Sequence, residues 1–100
     1  MSIDDLRRRI DSLDERIVEL LNERASCALR LGEIKQQLGL EIYQPERESQ
    51  VLAKVRQSAT ELSGPLTAEA VVRIFERVID EARRAERVAS ERRENLEAGE

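Results

Sequence analysis

One hundred residues allow one domain with a modest core. Tyr43 and Phe75 are the only aromatics, so that core is aliphatic, and apolar residues at 40% that recur periodically argue against disorder despite 38% charge. The net charge of −4 gives no reason to expect nucleic-acid binding, and any anion site must be a local cationic cluster acting against the global field. The chain has no histidine and one cysteine, which removes most zinc, haem and Cys/His catalytic schemes. No stretch is long enough to span a membrane, and the charged start Met1 to Ile10 carries no apolar signal segment. A lone cysteine makes no intrachain disulfide, so a reducing cytoplasm fits.

The first helix is expected to start at Ser2, an N-cap followed by Asp4 and Asp5 in the first turn. Its apolar residues alternate in steps of three and four: Ile3, Leu6, Ile10, Leu13, Ile17, Leu20, then Cys27, Leu31, Ile34 and Leu38. Arg24 occupies the stripe position between Leu20 and Cys27. A guanidinium in such a seam is costly unless it is paired or faces a wet pocket. Lys35 lies about three turns later on nearly the same face, and two inward cations imply an anion between them. Cys27, on the same stripe, reads as a buried structural thiol. Gly39 is the natural residue to end the helix. About 36 residues at 1.5 Å each span roughly 54 Å, more than the rest of one chain can cover. The economical solution is a homodimer of intertwined helices.

Leu40 to Gln44 form a connection, and Pro45 opens a short second helix expected to end near Ala59. Ser63-Gly64-Pro65 breaks the chain, and Thr67 caps a third helix carrying Val71, Ile74, Phe75, Val78, Ile79, Ala82, Ala85 and Ala89. The fold class is therefore all-α, with three helices: very long, short and long. Residues 1–95 form the domain, and residues 96–100 form a charged tail expected to fray.

By pattern alone, Arg24 is the one charged residue that resists a purely structural account, and pairing with Glu23 or Glu33 of a partner helix stays open for it. Arg7, Lys35, Arg47 and Glu86 read by default as solvated surface residues, Glu86 within the charged run Arg83 to Arg87.

Four segments in order change that weighting: Leu6-Arg7-Arg8-Arg9-Ile10-Asp11-Ser12-Leu13-Asp14, Ile17 through Asn22-Glu23-Arg24, Gly32-Glu33-Ile34-Lys35, and Pro45-Glu46-Arg47-Glu48. Together they resemble the all-helical chorismate mutases, over residues 3 to about 90. The resemblance implies an isomerase that converts chorismate to prephenate in aromatic amino acid biosynthesis, with no cofactor and no metal. That [3,3] rearrangement needs no nucleophile. The enzyme holds a dianion in a compact conformer and stabilises charge on the ether oxygen as the C–O bond breaks.

Carried over by position, the resemblance implies that Arg24 grips a substrate carboxylate. Arg7 reaches a substrate bound mainly by the other subunit. Lys35 donates to the ether oxygen, Arg47 orients the substrate across the loop, and Glu48 accepts from the substrate hydroxyl. Gln44 contributes backbone contacts where the family often has Asp. Two positions depart from the pattern: Ala82, where a small hydroxyl residue is common, and Glu86, where glutamine often donates to the ether oxygen. An ionised Glu86 cannot donate, so it would need its proton; burial raises its pKa and nearby cations lower it. The segment after the second helix further resembles mutase domains associated with 3-deoxy-heptulosonate-7-phosphate synthases, which adds a shikimate-pathway synthase as a candidate partner. Two rival readings are an isochorismate pyruvate-lyase and a weakly active module that mainly partners such a synthase. The interval from Lys35 to Arg47 and the presence of Glu48 favour the mutase over the lyase.

Overall fold

The computed structural model describes residues 1–41 and 43–99. Ile42, within the expected connection, and Glu100, at the end of the expected tail, lie outside the described residues. The order is α1 (Ile3–Gln37), α2 (Pro45–Leu62) and α3 (Ala68–Ala98), with no strand among the described residues.

The caps written in the sequence form as expected. Ser2 Oγ accepts from the Asp5 N–H at 3.1 Å, and the Asp5 carboxylate accepts from the Ser2 N–H at 3.2 Å, which closes a capping box. At the other end of α1, the Leu40 N–H donates to the Lys35 carbonyl and the Gly39 N–H to the Gln36 carbonyl. This is a Schellman motif, and it requires a left-handed residue; Gly39 supplies it at φ +71°. The motif locks the backbone of the turn that carries Lys35. Pro45 stands at the start of α2, and Thr67 Oγ1 caps α3 by accepting from the Ala70 N–H at 3.0 Å.

Two helices outrun the sequence-based limits. α2 passes the expected end at Ala59 and reaches Leu62, where Ser63 turns the chain at φ 51°. Its last turns are held by Thr60 Oγ1 donating to the Arg56 carbonyl and by a Gln57–Glu61 hydrogen bond, each at 3.0 Å. α3 continues through the expected tail to Ala98, because nothing between Arg92 and Ala98 breaks a helix.

α3 packs against both other helices, whereas α1 and α2 do not pack directly on each other. α2 and α3 form a hairpin closed by an Arg56–Glu69 ion pair at 2.8 Å. α1 and α3 are pinned at their far ends by Arg93, whose Nε and Nη2 both donate to Gln36 Oε1. The chain is elongated, 60 × 30 × 15 Å, with a radius of gyration of 17.5 Å. A compact chain of this length would have about 13 Å. Among the described residues no apolar side chain is fully buried, and Leu6, Ile10 and Ile17 on α1 are about half exposed (47%, 54% and 53%).

Candidate active site

An open pocket of about 270 Å³ lies where the C-terminal half of α1, the start of α2 and the middle of α3 converge. α1 supplies Arg24, Cys27, Ala28, Leu31 and Lys35; the loop and α2 supply Gln44, Arg47, Glu48 and Val51; α3 supplies Ile79, Ala82, Arg83 and Glu86. Because α1 and α2 do not touch, the space between them stays open while α3 forms its floor. The residues from α1 recur at helical spacing along one face, as the stripe required.

Seven of the eight sequence-based candidates meet here: Arg24, Lys35, Gln44, Arg47, Glu48, Ala82 and Glu86. Arg7 does not. It is exposed on α1, 17 residues or about 25 Å of helix away from Arg24. Cys27 corrects the expectation of a buried thiol: it is exposed and lines the pocket, since its stretch of the stripe faces the gap between α1 and α2.

The cations on α1 and α2 are available to a ligand. Among the described residues, Arg24, Lys35 and Arg47 make no ion pair. Arg24 and Lys35 are half-buried, which weakens solvent screening of any anion between them. The amino-terminal end of α2 also faces the pocket and adds the positive end of its dipole.

Glu86 packs over Gly32, the one buried residue among those described. A Cβ built on Gly32 would meet Glu86 Oε2 at 3.6 Å and its Cγ at 3.7 Å. Burial against this stretch of α1 pushes the Glu86 carboxyl above the usual range, and nearby Glu48 pushes the same way. Lys35, Arg83 and Arg24 oppose it, and burial wins. The tug-of-war that the sequence left open is thereby resolved toward a raised pKa.

Arg83 is the pocket residue that sequence reasoning missed, having been read as part of a charged helix face. Its Nη2 pairs with Glu48 Oε1, and its guanidinium lies over the Tyr43 ring at 5.0 Å. Thirty-five residues separate Arg83 from Glu48, so no local pattern could reveal the pair. The only signal was spacing: Arg83 stands between Ala82 and Glu86 on one side of α3.

This site sits in a sequence with clear relatives. The family described as Chorismate mutase type II matches residues 6–87. The chain belongs to that family. Among its relatives, a bifunctional chorismate mutase/prephenate dehydratase of Aquifex aeolicus is 43% identical over 76 residues, covering 75% of this chain and 21% of that protein. The chain thus spans about a fifth of the length of such bifunctional relatives. A chorismate mutase of Methanocaldococcus jannaschii is 40% identical over 57% of this chain and 58% of its own. A solved chorismate mutase from Thermus thermophilus superposes with a TM-score of 0.74 at 30% identity, covering 80% of this chain and 88% of that one. The all-helical architecture of this type II family member is therefore that of a known mutase.

Proposed function

We propose that the chain catalyses the rearrangement of chorismate to prephenate. The observation that carries this reading is the convergence of Arg24, Lys35 and Arg47, without ion pairs among the described residues, on one pocket that also holds Glu86. A dianion matches three cations and the end of a helix dipole. Arg24 holds a carboxylate by its guanidinium fork, and Lys35 donates to the ether oxygen as it gains charge. Glu86, whose pKa burial raises, is the second donor to that oxygen in its protonated form. Arg47 and Gln44 close over the substrate from the loop side, and Glu48 accepts from its hydroxyl. Ala82 contributes shape without a polar contact. The C–O bond breaks as the C–C bond forms, so no residue takes or loses a proton over the cycle.

The finer reading is a homodimer in which Arg7 of the partner subunit enters this pocket. Its support is the half-exposed apolar stripe that surrounds Arg7 on α1. Burying the exposed half of each stripe residue would contribute about 1 kcal/mol apiece. A shikimate-pathway synthase is the candidate protein partner, and the cytoplasm, which suits the free Cys27 thiol, is the compartment.

The test is a direct assay of the purified chain with chorismate, following substrate loss and identifying the product. Prephenate supports the mutase. Pyruvate released from isochorismate would replace it with the lyase, and turnover only on adding the synthase would make it a partner-dependent module. Arg24→Ala should lower kcat/KM by about 10² to 10³-fold with the helical circular dichroism unchanged. Unfolding of that variant would instead assign Arg24 a structural ion pair.

A further inference from the structure

The pocket contains a carboxylate that ought to interfere with its own purpose. Glu48 is half-buried in the first turn of α2, beside the cations that a dianion must find. A mobile carboxylate there would swing onto Arg24, Lys35 or Arg47 and neutralise it. The structure shows a different pairing. Glu48 Oε1 is held by Arg83 Nη2 from α3, while those three cations carry no ion pair among the described residues. Pairing one oxygen leaves the other able to accept from a ligand.

Arg83 is itself fixed from three sides. Besides Glu48, its Nη1 lies 3.9 Å from Asp80 Oδ1 one turn earlier on α3, and its guanidinium stacks over Tyr43 at the end of the connection into α2. Its Nε is shielded from solvent and has no hydrogen-bond partner among the described residues, so Glu48, Asp80 and Tyr43 are what orient the group. One side chain thereby ties the loop, the start of α2 and the middle of α3 together around the pocket.

We propose that Arg83 is a positioning residue that sequesters the Glu48 carboxylate and pins Tyr43, keeping Arg24, Lys35 and Arg47 available to a dianionic ligand. The kinetic part of its test rests on the mutase reading above. Arg83→Met releases Glu48 onto those cations, so KM for chorismate rises about tenfold, the size expected for one charged hydrogen bond. Arg83→Lys keeps the charge but not the fork and recovers part of the loss.

The deciding variant is the double, Arg83→Met with Glu48→Gln. Removing the competing charge should bring KM back down from that of Arg83→Met alone, even though kcat stays low for want of Glu48. A generic structural role for Arg83 would make the double no better than the single. Two results overturn the proposal: a KM in Arg83→Met within about twofold of wild type, or a double variant that binds as weakly as Arg83→Met. A ligand-free measurement separates this from failure of the mutase reading. In the wild-type chain, nuclear Overhauser contacts should link the Arg83 side chain to the Tyr43 ring and the Glu48 methylenes. If chorismate is not turned over, or Arg83→Met does not fold, their presence upholds the arrangement and their absence overturns it.

Discussion

Glu86 shows how one side chain can be read in two ways until its surroundings are known. In the chain it belongs to a run of alternating charges; in the fold it lies over Gly32 with Lys35 and Arg24 from α1, Glu48 and Arg47 from α2, and Arg83 on its own helix around the same pocket. Burial dominates and raises its pKa, so the neutral acid persists to higher pH than in an exposed glutamate. If that acid donates to the substrate, kcat falls as pH rises through the raised pKa, and Glu86→Gln removes the fall. Identical pH–rate curves for wild type and variant between about pH 5 and 8 would reject this role. Stability carries the same sign. A carboxyl whose pKa is raised by folding contributes fully below its unfolded value and loses that contribution as pH rises through the folded value. Wild type should therefore lose urea resistance over that window relative to Glu86→Gln. Gly32 offers a second test at this scale. Its added Cβ would rest at ordinary contact distance from Glu86, so Gly32→Ala should stabilise the chain by about 0.5–1 kcal/mol through helix propensity, read as a higher urea midpoint.

The helix starts and stops are the most legible part of this sequence, because each depends on a few adjacent residues. Ser2 with Asp5, Thr67, Pro45 and Gly39 act through bonds within one turn, and each boundary falls where it was expected. The two boundaries that shifted have the same cause: a charged or polar stretch without Gly or Pro continues a helix as readily as it frays one, and Thr60 to Leu62 and Leu96 to Ala98 both do. Ser63 ends α2 in a left-handed conformation that costs a residue with a Cβ roughly 1 kcal/mol. Ser63→Gly should recover about 0.5–1 kcal/mol, less the added freedom of the unfolded chain, in a thermal or urea melt. A loss of stability would mean that the Ser63 side chain has a role beyond the turn.

For the whole molecule, the decisive fact is what one chain leaves uncovered. The first half of α1 projects past the α2–α3 hairpin with its apolar stripe half exposed, and the radius of gyration reflects it. On the proposed reading a second copy covers it, because its stripe has the same length and spacing. Sedimentation should give twice the 11.5 kDa chain mass, and the melting temperature should rise with protein concentration. Leu13→Glu, which puts a charge in the middle of the stripe, should break the dimer and abolish turnover together, since Arg7 then has no second pocket to enter. A monomeric wild type with full activity would refute the shared site.

The sequence by itself determined the helices, their caps and the long stripe with its single arginine, since all of these are relations between residues a few positions apart. It also placed Arg24, Lys35, Arg47 and Glu48 in the candidate site, through four ordered segments and their resemblance to a family. Tertiary structure alone decided the rest. That Cys27 opens onto a pocket, that burial outweighs three cations at Glu86, and that Arg83 holds Glu48 all depend on how closely α3 approaches residues more than thirty positions away. Distances of that kind are set by packing between helices, and no periodicity within one helix encodes them.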